Sequence, residues 1–123
     1  ALGVAFGAWR FAWQAPGDGA EGWCVRLPAA CRYVVRAWRP GDRMRARPGG
    51  AARRVKRYLA DERVPAARRP GWPVVVAVPA ASPDDEEGEI VWIPGVRRSP
   101  AAPARPGQPG FDLHCWCPTL PPR

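Results

Sequence analysis

Features that mark membrane-spanning and secreted proteins are missing from this 123-residue sequence. No apolar run approaches the ~18 residues that a membrane-spanning helix needs, so we expect no membrane span. The apolar start, 1–6, has no basic segment before it, which argues against a secretory signal peptide. The sequence also begins without methionine. We therefore expect a fragment of a longer cytoplasmic protein.

Residues that commonly carry catalysis are also scarce. The sequence has one histidine, His114, and one lysine, Lys56. It contains no G-x-S-x-G motif, no Walker phosphate loop and no G-x-G-x-x-G motif. Asp42 and Asp61 have arginine neighbours, and an ion-paired carboxylate is a poor general acid. We therefore expect no autonomous active site and no cofactor in this chain.

Positive charge, in contrast, is abundant and concentrated in one segment. The net charge is +8, and residues 36–69 hold twelve basic and three acidic side chains. Arginine outnumbers lysine 18 to 1, which a biased composition explains, but such a bias does not explain the clustering. A basic segment with nearly neutral flanks is typical of proteins that bind a polyanion, most often nucleic acid.

Four cysteines are the candidates for a metal site. Their spacings, C-x6-C and C-x-C, differ from the C-x2-C pairs of common zinc sites. On a strand, Cys115 and Cys117 point to the same face, which suits two small buried residues better than a chelate. The pattern favours no bound metal. The candidates, if one binds, are Cys24, Cys31, Cys115 and Cys117.

Short apolar segments separated by proline and glycine predict a mostly β domain. The 17 prolines and 13 glycines fall mainly between these segments, where turns are expected. We predict a small α+β domain, mostly β, with a sandwich-like or barrel-like arrangement and one amphipathic helix. The predicted strands cover 9–13, 23–27, 33–38, 74–78, 89–93 and 111–117.

The same pattern divides the chain into three parts. A β-rich domain is expected over 1–98, with an acidic loop over 79–88. The proline-rich stretch 99–110 is expected to be a connector, and 111–123 a terminal strand with a frayed tail. Trp38, Trp72 and Trp92 each lie in or beside an apolar strand, so we expect them in the core rather than stacked on bases.

The predicted helix, about 51–62, has one apolar side and one basic side. Four positive charges at helical spacing repel one another, and an anionic partner relieves that repulsion. The glycines at 49–50 add exposed N–H groups near the helix start, where phosphates are favoured. The basic side consists of Arg53, Arg54, Lys56 and Arg57.

Four segments, taken in order, resemble a known family. They are V-R-A-W-R-P-G-D-R at 35–43, R-R-V-K-R-Y-L-A-D-E-R-V-P at 53–65, R-P-G-W-P-V-V at 69–75 and G-E-I-V-W-I-P-G-V-R at 88–97. Their order and spacing resemble the C-terminal domain of bacterial tRNA(Ile)-lysidine synthases over roughly half of the chain. The most specific feature is P-G-D-R followed by D-x-R-V-P-x-x-x-R.

The resemblance implies a part in tRNA recognition. The family attaches lysine to the wobble cytidine of an isoleucine tRNA with a CAU anticodon. An N-terminal catalytic domain with an S-G-G-x-D-S motif uses ATP and magnesium for this step, and that motif is absent here. The resemblance implies that the C-terminal domain is a small β-rich sandwich, related to a module of a phenylalanyl-tRNA synthetase. It also implies that this domain docks on the tRNA acceptor stem.

The basic segment and the resemblance together assign residues to roles. Arginine and lysine side chains would neutralise phosphates, and Asp42 would orient Arg36 or Arg43 through a charge-assisted pair. P-G-D-R also fits a structural turn, and both roles can hold at once. The predicted RNA-binding residues are Arg36, Arg39, Arg43, Arg53, Arg54, Lys56, Arg57 and Arg69. The predicted structural residues are Pro40, Gly41, Asp42, Asp61 and Pro65.

A second function class stays open at this point. The basic face would equally suit a structural or protein-interaction module that docks on an acidic partner, and the cysteines leave room for stabilisation by zinc.

Overall fold

The computed structural model describes residues 2–7, 9–14, 23–29, 31–79, 88–100 and 107–116. In chain order, these residues form ten strands and one α-helix. The elements are β1 (Leu2–Phe6), β2 (Trp9–Gln14), β3 (Cys24–Pro28), β4 (Cys31–Ala37), β5 (Arg43–Met44), β6 (Arg53–Arg54), α1 (Val55–Asp61), β7 (Pro73–Pro79), β8 (Glu89–Ile93), β9 (Arg97–Arg98) and β10 (Gly110–Trp116). A 3-10 turn, Ala66–Arg68, follows the helix.

The first sheet joins the two ends of the described chain. Its strand order is β1-β2-β10-β3, and all of its pairs are antiparallel. β10, the last strand along the chain, therefore lies between β2 and β3. Alternate residues of β3 and β10, such as Val25, Leu27 and Leu113, are buried, as expected for strands with one face on a core.

The second sheet has the order β4-β7-β8-β9 and is antiparallel throughout. Its central strand β7 carries a run of valines, and Val74, Val75 and Val76 are all buried. A strand buried on both faces has this continuous apolar pattern. β5 and β6 form a separate two-stranded ribbon that leads into α1.

Both sheets and the helix contribute to one hydrophobic core. The Trp9 ring from the first sheet meets the edge of Trp72, just before β7, with ring centroids 4.8 Å apart. Trp72 and Trp92 are buried, and the indole N–H of Trp72 donates to the Pro94 carbonyl at 3.0 Å. Trp38 is partly buried. The expected core positions of Trp72 and Trp92 are therefore confirmed.

The prediction of a mostly β domain with one helix is confirmed, and all six predicted strands are present with small shifts in their ends. The sequence analysis missed β1 and the two-residue strands β5, β6 and β9. Most of the predicted acidic loop, at 80–87, and half of the predicted connector, at 101–106, lie outside the described residues. Among the described residues, no helix has the length and apolar character needed to cross a bilayer.

The predicted helix start at residue 51 is wrong, because the helix begins at Val55. Arg53 and Arg54 are extended instead and pair with β5. The Val55 amide donates to the Asp42 carbonyl at 2.9 Å, so this helix-start N–H group is already satisfied. A seven-residue helix that begins in this way gives no support to the phosphate site expected at its N-terminus.

The helix ends in a Schellman motif with an arginine at the position where glycine is usual. The Val64 amide donates to the Leu59 carbonyl and the Arg63 amide to the Ala60 carbonyl, both at 3.0 Å. Arg63 therefore adopts a left-handed backbone, with φ of 60°. Val64 is buried, and Pro65 follows it, which stops the helix here.

Candidate nucleic-acid interface

The P-G-D-R segment forms a tight turn between β4 and β5. The Asp42 amide donates to the Arg39 carbonyl at 3.0 Å, and Gly41 has a φ of 94°. Proline at the second position and a positive φ at the third describe a type II turn. The Asp42 carboxylate also accepts a hydrogen bond from the Arg39 amide at 2.7 Å, so the Asp42 side chain adds a second hydrogen bond within the turn. The predicted structural turn is therefore present.

The same carboxylate holds Arg36 through two parallel hydrogen bonds. Arg36 Nη1 lies 2.7 Å from Asp42 Oδ2, and Nη2 lies 3.0 Å from Oδ1. Both side chains are mostly buried. Burial raises the pKa of Asp42, but the hydrogen bonds from Arg36 and the Arg39 amide outweigh it, so the pKa lies below its ordinary value. The charge-assisted pair predicted between Asp42 and Arg36 is therefore present.

The β5–β6 ribbon and α1 place several basic side chains on one surface. Tyr58 anchors this arrangement, because its buried hydroxyl donates to the Met44 carbonyl at 3.0 Å. The apolar side of the helix, with Val55, Tyr58 and Leu59, packs into the core as predicted. The basic side is left exposed. We call the exposed cations of this region the basic surface, and they are Arg53 and Arg54 of β6, Lys56 and Arg57 of α1, and Arg97 of β9.

Arg97 belongs to this surface because β9 brings it against the helix. The Arg97 guanidinium lies 5.9 Å from the centroid of the Tyr58 ring, and that of Arg53 lies 5.4 Å from it. Such cation–π contacts hold a guanidinium in place while leaving its hydrogen-bond donors available. The sequence analysis missed Arg97, although the matched segment 88–97 ends on it.

One acid lies within the basic surface. Asp61 is 3.1 Å from Arg53 Nη2 and 3.5 Å from Arg57 Nε. All three side chains are about half exposed or more, and ion pairs of this kind are weak and screened by salt. Arg54 and Lys56 form no ion pair within the part of the chain that the structure describes. The surface therefore keeps a positive charge.

A groove of about 580 Å³ lies beside the P-G-D-R turn. Its charged lining mixes Arg36, Arg43 and Arg45 with Asp42 and Glu89. Arg43 reaches across it to the Ala52 carbonyl, at 3.4 Å. Because two carboxylates face the same space, the groove is less favourable for an anion than the basic surface.

Two of the predicted RNA-binding arginines are partly buried and are held by partners inside the domain. Arg36 is held by Asp42, as described above. Arg69 Nε donates to the Val64 carbonyl at 2.8 Å, and the Arg69 carbonyl accepts the Trp38 indole N–H at 2.6 Å. Arg69 thus connects the segment after the helix to Trp38, directly after the end of β4. Arg39 and Arg43 are exposed next to the turn.

The four candidate cysteines do not gather into one site among the described residues. Cys115 is buried in the core, and Cys31 begins β4 in the other sheet. Cys24 lies on β3, on the opposite face of the first sheet from Cys115, as its pairing with His114 shows. Cys117 lies outside the described residues.

Comparison with known proteins identifies the domain. The family model of the TilS substrate C-terminal domain matches residues 33–116, about two-thirds of the sequence. The chain belongs to this family. The match runs from β4 through β10 and so includes the P-G-D-R turn, the basic surface and both sheets in part.

Curated relatives agree with this assignment. The tRNA(Ile)-lysidine synthase of Geobacillus kaustophilus (strain HTA426) is 30% identical over 93 residues, covering 74% of this chain and 18% of the relative. That of Bacillus subtilis (strain 168) is 32% identical over 75 residues, covering 61% of this chain and 13% of the relative. The chain therefore spans less than one-fifth of the length of these relatives.

A solved structure shares the fold. A crystal structure of the TilS C-terminal domain matches with a TM-score of 0.73 over 97% of this chain and 92% of that chain. Its sequence identity is 20%, so this similarity concerns the fold. The mostly β family fold implied by the sequence resemblance is confirmed.

Proposed function

We propose that this chain is the tRNA-binding C-terminal domain of a tRNA(Ile)-lysidine synthase and docks on the acceptor stem of the isoleucine tRNA with a CAU anticodon. Lysine attachment to the wobble cytidine, with ATP and magnesium, is then the work of a separate N-terminal catalytic domain in the cytoplasm. The observation that carries this proposal is the basic surface, which has five exposed cations on β6, α1 and β9 and one half-exposed acid that pairs with two of them.

The construction of the basic surface suits the phosphate backbone of a nucleic acid. Its side chains reach outward from elements that Tyr58 fixes to β5, and two guanidinium groups are held by contact with the Tyr58 ring. Arginine binds phosphate through paired N–H donors and is already oriented here, so little side-chain freedom is lost on binding. The weak Asp61 pairs can exchange for phosphate contacts at small cost.

The type of contact also suits double-stranded RNA. A-form RNA hides its base edges in a deep, narrow groove and offers phosphates and 2′-hydroxyls, so proteins recognise it mainly by shape. A cluster of exposed cations that contacts phosphates rather than bases fits this mode, because phosphate contacts set position without reading sequence. The tRNA specificity of the whole enzyme would then come largely from contacts outside this surface.

The test measures binding as a function of salt. Fluorescence anisotropy of this chain is recorded with the CAU isoleucine tRNA, an unrelated tRNA and heparin across a salt series. We expect tRNA binding with a steep slope of log K against log salt. Each phosphate contact contributes ~0.7–0.9 to that slope. In Arg54→Glu and in Lys56→Glu, we expect weaker binding and a slope shallower by about 0.7 or more.

Arg32→Glu is the matched control. It changes the net charge by the same amount, and Arg32 is exposed on β4 about 13 Å along the strand from Arg36. Binding and slope should stay near wild type. The proposal is overturned if heparin binds as tightly as tRNA, or if Arg32→Glu weakens binding as much as Lys56→Glu. Either result would favour a basic face that docks on an acidic protein partner.

A further inference from the structure

Three side chains of metal-ligand type meet on the outer face of the first sheet. Cys24 of β3 lies directly opposite His114 of β10, and Asp112 lies two residues before His114 on the same face. The neighbours that point the other way, such as Val25 and Leu113, are buried in the core. One ligand atom from each of the three residues lies within 4.8 Å of the other two.

We propose that Cys24, Asp112 and His114 bind a zinc ion that ties β3 to β10. The Cys24 Sγ and His114 Nε2 atoms are 3.8 Å apart. In a tetrahedral zinc site, bonds of ~2.3 Å to sulfur and ~2.0 Å to nitrogen place these two atoms about 3.5 Å apart. The Cys24 and His114 side chains therefore need to move only by a few tenths of an ångström relative to each other. The carboxylate of Asp112 supplies the third ligand, and solvent supplies the fourth.

The chemistry of the donor set favours zinc over magnesium or calcium. One sulfur, one nitrogen and one oxygen form a mixed set that suits a borderline-soft cation, whereas magnesium and calcium prefer oxygen ligands alone. On binding, the Cys24 thiol gives its proton to solvent, and the thiolate and carboxylate together balance the two positive charges. Neutral His114 binds the zinc ion through the lone pair of Nε2.

The surroundings hold the ligands in place and still admit an ion. Arg26, opposite Asp112 in the register, lies 3.6 Å from its Oδ1 and so restrains the carboxylate. Asp112 is buried, whereas Cys24 and His114 are partly exposed. The site therefore opens to solvent on the cysteine and histidine side. It lies on a different sheet from the basic surface, so it is independent of the proposed function.

The site is tested on the whole 123-residue chain, reduced and freed of metal with EDTA. Cobalt(II) serves as a spectroscopic probe, because a bound thiolate gives a sulfur-to-cobalt charge-transfer band. We expect the band to saturate at one equivalent and zinc to remove it by displacement. We also expect zinc at one hundred times its Kd to raise the Tm by at least about 5 °C, and magnesium to leave it unchanged.

Variants assign the ligands. Cys24→Ser should abolish the band, and His114→Gln should weaken binding at least about tenfold, as expected for loss of a ligand. Cys31→Ser is the control, because Cys31 is partly exposed like Cys24 but lies in the other sheet, and it should keep both band and Tm shift. Circular dichroism of each variant verifies the fold. A band that persists in Cys24→Ser, disappears in Cys31→Ser or never forms in wild type overturns the proposal.

Discussion

Replacing Asp42 tests how much the P-G-D-R turn contributes to the stability of the domain. Its carboxylate accepts three hydrogen bonds, from Arg36 Nη1 at 2.7 Å, Arg36 Nη2 at 3.0 Å and the Arg39 amide at 2.7 Å. Asp42→Ala removes all three and leaves the mostly buried guanidinium of Arg36 without its partner, at a cost of ~3 kcal/mol. Asp42→Asn keeps one acceptor oxygen and should cost ~1.5 kcal/mol.

The assay is urea unfolding followed by the fluorescence of the seven tryptophans. For a domain of this size, these losses correspond to decreases in Tm of ~12 °C and ~6 °C. Glu62→Gln removes an exposed acid at the end of α1 and should change the free energy of unfolding by less than ~0.5 kcal/mol. It is the matched control for loss of a carboxylate.

The pH dependence gives the prediction a second readout. The pKa of Asp42 lies below its ordinary value in the folded chain, because the hydrogen bonds from Arg36 and Arg39 outweigh the effect of burial. A carboxyl with a lowered folded pKa stabilises fully above its unfolded pKa of ~3.9, and this contribution is lost as the pH falls through the folded value. The stability gap between wild type and Asp42→Asn should therefore be full at pH 7 and shrink below about pH 4.

Two results would refute this reasoning. One is an Asp42→Asn variant as stable as Glu62→Gln at pH 7. The other is a stability gap that stays constant as the pH falls. A double-mutant cycle with Arg36→Met separates the ion pair from the turn, because Asp42→Ala should cost less where no guanidinium is left unpaired.

Two further predictions concern backbone positions with positive φ. Arg63→Gly should raise the free energy of unfolding by about 0.5–1 kcal/mol, because glycine adopts the left-handed backbone at φ of 60° without strain. A variant that is less stable than wild type in urea unfolding would contradict the assignment of the helix end. Gly95→Ala should lower it by about 2–4 kcal/mol, since the new Cβ would lie 2.5 Å from the Trp23 ring at φ of 74°. Gly107→Ala, at φ of 82° in open space, is the control and should cost only about 1 kcal/mol; equal losses at both positions would disprove the steric argument.

The longer strands could be predicted because their signal is local. Glu89–Ile93 contains a run of four β-branched or aromatic residues and is bounded by a glycine and a proline, and the structure places β8 within those bounds. The two-residue strands β5 and β6 carry no such signal, because a pair of residues has no period. Their pairing also explains the wrong helix start. The amphipathic pattern continues back to residue 51, but hydrogen bonding to β5 takes Arg53 and Arg54 out of the helix.

The candidate sites likewise contain features that have a local sequence signal and features that have none. The exposed positions of Lys56 and Arg57 on α1 follow from the helical period, and so they could be predicted from the sequence. The internal partners of Arg69 could not, because they depend on how the segment after the helix returns to the core. The pairing of Cys24 with His114 spans 90 residues and depends on strand register. Cysteine spacing along the sequence contains no information about it.

The central place of β10 in the first sheet has a consequence for synthesis on the ribosome. The second sheet and the helix are built from residues 31–98, so their partners all emerge before β10 does. β2 and β3 must wait with open edges until residues 110–116 leave the exit tunnel and pair with both. A nascent chain that stalls before this point keeps two unpaired edges exposed. Emergence of residues 110–116 thus closes the sheet and removes a site of aggregation.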